Sequence, residues 1–157
     1  MKKFELTNEF ITNMFGTKLF RIRALVEFGD VEAGELGGYV EKESNLGHDD
    51  NAWVYDNARV YGNARVYGNA LVCGDARVCG DARVCGNGDY AYAHGFGSVN
   101  RTTTFFRLKD GGVGVRCGCF YGTLAQFRDK IRETHGETKK AQEYLMLADL
   151  MKLRFEK

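Results

Sequence analysis

A six-residue unit repeats without a break from Asn51 to Gly86, and it constrains the fold more than any other feature of the chain. The units begin at Asn51, Asn57, Asn63, Asn69, Asp75 and Asp81, and they read Asn/Asp-Ala-x-Val-Tyr/Cys-Gly, with Asp56 in place of the first glycine. Self-similarity at a short fixed period is the signature of a solenoid, and a period of six points to a parallel β-helix. Within a unit Ala and Val lie two apart, so a short strand directs both to one side and directs the x and Tyr/Cys positions to the other. A small residue beside a branched one fills a narrow interior. Gly followed by Asn or Asp is corner chemistry, because these residues tolerate the left-handed backbone of a tight turn. No unit buries anything alone, so each coil must stack on the next.

The 157 residues suit a repeat core with two small flanking elements, expected at 1–35 and 99–157 around a repeat region at 36–98. Lys and Arg number 22 against 21 Asp and Glu. That balance leaves no surplus of positive charge for duplex DNA. Proline is absent and aromatics make up 13%, so long disordered tails are not expected. Residues Met1 to Asn8 have neither an apolar core nor a small-residue cleavage site, and no apolar run reaches spanning length. The expected compartment is the cytosol, with no membrane partner.

The flanks read as ordinary elements. Phe4 to Met14 and Lys18 to Val26 form a hairpin around Phe15-Gly16-Thr17. Val40 and Leu46 lie six apart and open the solenoid, and Gly47-His48-Asp49-Asp50 adds two residues before Val54 resumes the phase. Tyr90 and Phe96 continue the spacing with bulkier inward residues, giving about three coils in all. Arg101 to Leu108 and Val113 to Cys119 form a second hairpin. Thr123 with Gln126 makes a capping box for a helix from Leu124 to about Thr134, which Gly136 ends. A last helix, Thr138 to Phe155, carries Ala141, Tyr144, Leu145, Ala148, Met151 and Phe155 on one stripe. Its other flank holds Met146, Leu147, Leu150 and Leu153.

The hexads resemble the hexapeptide-repeat family of left-handed β-helices, in which three hexads make one triangular coil. The resemblance implies a short left-handed parallel β-helix flanked by the N-terminal hairpin and by a C-terminal hairpin with two helices. Family members are commonly trimers, so a homotrimer or a multiple of it is expected. The architecture carries acyltransferases, binding proteins and structural proteins alike. The segment Leu36 to Leu46, the hexads and Arg116 to Leu124 together resemble small repeat proteins of phage and prophage genomes.

If three hexads make a coil, residues eighteen apart stack. One outer face then presents Trp53 over Leu71 and Tyr55 over Cys73. This apolar face requires cover, from the C-terminal helices or from a neighbouring subunit, and Leu147 and Leu150 are the helix residues expected to join an interface. The other faces alternate Arg59, Arg65, Arg77 and Arg83 with Tyr61 and Tyr67. Guanidinium groups pair with phosphate and Tyr rings offer stacking surface, so these six suit a small anionic, nucleotide-like ligand in a cleft between subunits. Asp56, Asp75 and Asp81 sit near enough to neutralise the arginines as an ordinary solvated face.

A catalytic set is not evident. His94 is the residue that matches the general base of hexapeptide acyltransferases, although the chain has no long inserted loop to cover a coenzyme A arm. His48 with Asp49 and Asp50 reads as a loop rather than a metal site, and His135 belongs to a helix end. Cys117 and Cys119 share one side of a strand without the two further ligands that zinc needs. Cys73, Cys79 and Cys85 fall on successive faces, out of disulfide reach. No metal or cofactor is expected. The expectation is a non-enzymatic oligomeric binding protein, phage-encoded and interfering with host defence. It would sequester a small anionic nucleotide signal or occlude a host defence protein. The alternatives are an acyltransferase using His94 and a structural trimerisation module.

Overall fold

The computed structural model describes residues 2–97 and 101–156. Its strands are β1 Phe4–Thr12, β2 Lys18–Ala24, β3 Leu36–Val40, β4 Trp53–Val54, β5 Arg59–Val60, β6 Arg65–Val66, β7 Leu71–Val72, β8 Arg77–Val78, β9 Arg83–Val84, β10 Tyr90–Phe96, β11 Arg101–Arg107, β12 Val113–Cys117 and β13 Phe120–Thr123. Two helices follow, α1 Leu124–His135 and α2 Lys139–Phe155. The fold is mainly β, with a parallel solenoid part and a helical end.

The hexads stack at eighteen residues. β4 pairs with β7, β5 with β8 and β6 with β9, all parallel, with Val54 over Val72, Val60 over Val78 and Val66 over Val84. Ala and Val of every unit point inward, and none exceeds 1% exposure. Each buried Val is worth about 1.5–3 kcal/mol relative to exposure. The corner residues Gly62, Gly68, Gly74 and Gly80 have φ near +65°, and Asp56 takes the same left-handed turn at φ 55°. That conformation is why glycine ends the unit.

Parallel pairing exchanges backbone bonds in both directions between stacked coils. Around each two-residue strand, Trp53 N donates to Ala70 O, Tyr55 N to Val72 O, Arg59 N to Ala76 O and Tyr61 N to Val78 O. Arg65 N and Tyr67 N continue the pattern to Ala82 O and Val84 O. Each end of the stack is left with outward backbone groups, and both ends require partners. At the first coil Lys3, only 2% exposed, donates through Nζ to Asp50 O at 2.9 Å and Ala52 O at 2.6 Å. At the last coil, Asn87 Oδ1 accepts from Leu71 N, Asp89 Oδ2 from Cys85 N, Thr104 Oγ1 from Arg77 N and Tyr90 Oη from Cys73 N, while Tyr90 Oη donates to Leu71 O.

The opening coil is irregular, as the added residues require. Val40 pairs with Val60 and Leu46 with Val66, twenty residues apart instead of eighteen. Asn45 joins this coil to the next. Its Oδ1 accepts from Glu41 N and Lys42 N, and its Nδ2 donates to Gly62 O and Ala64 O, all at 2.9–3.2 Å.

The flanks extend the solenoid in ways that correct three expectations. First, the hairpin β1–β2 is not a separate element. β2 pairs antiparallel with β3, which pairs parallel with β5, giving one sheet in the order β1-β2-β3-β5-β8. Second, the solenoid ends sooner than spacing suggested. Tyr90 does point into the solenoid core as expected, but it opens β10, a long strand paired antiparallel with β11 in a sheet ordered β10-β11-β12-β13, and Phe96 packs into the second core with α1 and α2. The expected boundary at 98/99 lies outside the described residues. Third, Trp53 is not at an interface. It is fully buried beneath Phe28, at 5.2 Å between ring centroids, and Phe4, at 6.4 Å. Neither the C-terminal helices nor a second subunit is needed to cover it, because the N-terminal strand already does.

The remaining residues of that expected interface differ among themselves. Tyr55 and Leu71 pack against the solenoid core, and Cys73 lies beside Tyr90 Oη at 3.7 Å. Leu147 packs partly into the helical core, while Leu150 stays 54% exposed beside exposed Met146 and Leu153. The capping box of Thr123 and Gln126 is present, and Ala141, Tyr144, Ala148, Met151 and Phe155 form the buried stripe of α2. No helix of the described residues is long and apolar enough to cross a membrane.

Two stability predictions follow from these contacts. Asn45→Ala leaves buried backbone groups without partners and should lower unfolding stability by at least about 2 kcal/mol, read from urea unfolding. Burial pushes the Cys79 thiol up from 9.0 to about 11. The unfolded chain therefore ionises it first, and stability that is complete below pH 9 should fall by roughly 2–3 kcal/mol between pH 9 and 11. Cys79→Ala should remove that share of the alkaline loss in unfolding titrations, and an unchanged slope would refute the assignment.

Candidate functional site

The end cap creates the site. Thr104 of β11 accepts from Arg77 N of β8 at 2.9 Å and Lys109 N donates to Asp81 O at 2.9 Å, which press the antiparallel sheet against the last coil. The hairpin tip approaches from the opposite side, carried there by the five-stranded sheet. Between them lies a groove of about 380 Å³. Arg59, Tyr61 and Arg77 of the solenoid form one wall. His94, Arg101, Thr102 and Arg116 of the sheet form the other, and Met14 and Phe15 stand at the mouth.

Four guanidinium groups thus share one concavity with a single carboxylate, that of Asp75. Among the described residues none of the four lies within ion-pair distance of an acid. Several arginines elsewhere are paired with acids, Arg21 with Glu9, Arg23 with Glu5, Arg107 with Asp89 and Arg128 with Asp149, while Arg83 and Arg154 bond backbone carbonyls. Arg116 is only 9% exposed and is held by aromatic rings, its guanidinium 4.5 Å from the Phe15 centroid and 5.9 Å from that of Tyr61. Arg59 buries its Nε without a hydrogen-bond partner among the described residues. Arg77 donates through Nη1 to the carbonyl of Asp75 at 2.8 Å. Burial holds the Arg77 pKa below its ordinary value, and the charge of Arg59, one coil away, adds to the effect. Burial likewise pushes the Tyr61 hydroxyl up, so it remains a neutral donor and ring surface.

A local constraint sets Arg101. Gly118 turns at φ +60°, and a Cβ there would run into the Arg101 guanidinium. His94 Nδ1 lies 2.8 Å from Thr102 Oγ1, on the strand pair β10–β11. Cations that are partly buried (Arg59, Arg77, Arg101) or buried (Arg116), with little acid nearby, are chemically suited to an anion with several oxygens.

The six residues expected as one ligand set divide within the chain. Arg59, Arg77 and Tyr61 line this groove. Arg65, Arg83 and Tyr67 belong to the β6–β9 stack and line a separate hollow of about 290 Å³ with Ser44 and Gly47. There Arg83 is occupied with Asn63 O and Ala82 O. His94 stands in the groove with the arginines instead of in an outer coil. Sequence reasoning missed Arg101, Arg116 and Phe15. Two signals were present: an arginine between inward-facing Val115 and Cys117, and large apolar residues at an exposed hairpin tip.

Other candidate sites resolve into structure. His48 stacks on Phe4 at 4.3 Å and its Nδ1 accepts from Lys3 N, so it serves the N-terminal seal. His135 stacks on Tyr144 at the end of α1. The turn at Gly118 separates the two cysteines expected on one strand face, leaving Cys117 buried against Thr103 and Cys119 exposed. All five cysteines are free thiols. Among the described residues no three His, Cys, Asp or Glu side chains are grouped to hold a metal ion.

No curated protein matches the chain. The family model of the YdcK beta solenoid repeat matches residues 52–66, 58–74 and 64–80, overlapping windows that cover five of the six regular hexads. Over that stretch the chain is similar to a repeat β-solenoid.

Proposed function

We propose that this protein is a non-enzymatic binding protein for a small, multiply charged anion of the nucleotide class, held in the groove between solenoid and antiparallel sheet. The observation that carries this reading is the convergence of Arg59, Arg77, Arg101 and Arg116 on one cavity with Asp75 as its only acid among the described residues. Like charges gathered in a partly buried site repel one another, and an anionic ligand removes that cost. A cavity of this volume lies at the lower end of the ~300–1,000 Å³ typical of small-molecule sites, which favours a compact ligand over a polymer.

The wider setting belongs to the same proposal. The repeat similarity and the eighteen-residue register support a closed left-handed coil of the hexapeptide type. Resemblance to phage and prophage repeat proteins supports a role in withholding a nucleotide signal from host defence. The exposed Met146, Leu150 and Leu153 flank of α2 supports a homo-oligomer, now without Trp53.

Equilibrium binding of nucleotides at fixed ionic strength tests the site. Arg77→Gln with Arg101→Gln should weaken nucleotide binding at least a hundredfold, since hydrogen bonds to charged groups contribute about 1.5–3 kcal/mol each. Arg65→Gln with Arg83→Gln should change it less than twofold. Equal losses in the two double variants, or none in the first, would overturn the assignment.

A further inference from the structure

The arrangement of charge and aromatic surface in the groove narrows the ligand, given the reading that an anion binds there. Arg59 and Arg77 occupy equivalent positions on successive coils, in parallel register. Neighbouring strands lie about 4.8 Å apart, so these guanidiniums form a two-step ladder along the wall. Arg101 and Arg116 face them from β11 and β12. Two linked phosphates extend along such a ladder and meet cations on both sides, whereas a lone phosphate fills one step and leaves the rest unpaired. The charge agrees: four cations against Asp75 suit an anion carrying about three charges, more than a cyclic monophosphate offers.

The mouth supplies the second half of the argument. Phe15 is 55% exposed at the hairpin tip, next to Met14 at 68%. Its ring lies over the Arg116 guanidinium, while more than half of the residue stays open to solvent. A large ring in that position gains little from burial, but it offers a stacking platform next to a charged cavity, which is how aromatic side chains take a nucleobase. The polar groups lining the groove, Asn13, Thr102 and His94, are hydrogen-bonding partners of the kind a ribose or base edge uses.

We infer that the ligand is a single nucleoside diphosphate or a close analogue, its linked phosphates between the Arg59–Arg77 ladder and Arg101–Arg116 and its base on the outer face of Phe15. Phe15 is then a specificity-determining residue: it recognises the base and leaves the phosphates to the arginines.

Calorimetric titration of the full chain with inorganic phosphate, pyrophosphate, AMP, ADP and 3′,5′-cyclic AMP tests this at one ionic strength. Pyrophosphate should bind at least tenfold more tightly than phosphate, and ADP more tightly than pyrophosphate, AMP or cyclic AMP. Phe15→Ala, at an exposed position, should keep the melting temperature of the parent. It should weaken ADP about tenfold, within the range of base stacking, and pyrophosphate less than twofold. If pyrophosphate binds but ADP binds no better, or Phe15→Ala weakens both alike, the nucleoside assignment is overturned while the anion site stands. If cyclic AMP matches ADP, the linked-phosphate assignment is overturned. If none of the five binds, the anion-binding reading itself fails.

Discussion

Stacked coils of the solenoid exchange backbone N–H···O=C bonds with one another, and the rest of the molecule is arranged around the two ends this leaves. A parallel stack of two-residue strands has little side-chain area per rung, so unmet donors or acceptors at its edges would weigh heavily against the Ala/Val interior. The chain closes the two ends with different groups. Carbonyls at the first coil take a buried ammonium, Lys3, whose own desolvation holds its pKa below the ordinary lysine value and is offset by Asp50. N–H groups at the last coil take oxygens from Asn87, Asp89, Tyr90 and Thr104, and the Leu71 carbonyl there takes the Tyr90 hydroxyl. Polar side chains that look incidental in sequence are therefore closures of a ladder.

The groove is a by-product of that closure. Thr104 must lie against Arg77 N to cap the ladder, and this brings β11 and β12 beside the outer face of β5 and β8. That face carries Arg59 and Arg77. At the other edge of the same stack, β3 recruits β2, which sets the direction of the hairpin and brings Phe15 over Arg116. Three stretches of chain that are distant in sequence meet at one cavity for reasons of backbone satisfaction. The concentration of cations there follows from none of those reasons. Arg21 and Arg107 are each given a carboxylate and Arg154 bonds backbone carbonyls, whereas Arg116 in the groove rests on aromatic rings.

Much of the fold was legible because the hexad states its own geometry. Alternation gave the inward Ala and Val, glycine gave the corners, and counting gave the eighteen-residue register. The capping box at Thr123 and the stripe of α2 were equally local. What stayed hidden depended on contacts between distant segments. Nothing near Trp53 announces that Phe4 and Phe28 will cover it, and the period of six gives no sign that Tyr90 leaves the stack. The site was half visible. Arg59, Arg77 and Tyr61 were identified from their outward positions, but Arg65, Arg83 and Tyr67 share those positions and turn to another side. Arg101 and Arg116 entered only through strand pairing, which a periodic argument does not reach.

The eighteen-residue register of the stack makes length a discrete variable in this molecule. Three hexads return the chain to the same side, so a duplication or loss of eighteen residues would leave each cap facing the chemistry it was built for and Thr104 still over the Arg59–Arg77 side. A duplication of six would not. It would present the capping sheet to a neighbouring side, turn Arg101 and Arg116 away from the solenoid arginines and leave the hairpin tip over bare surface. Drift in repeat number by replication slippage is thus tolerated in steps of one coil and filtered at every smaller step. Selection on the groove would hold the hexads in phase with their caps even where the hexads themselves are interchangeable.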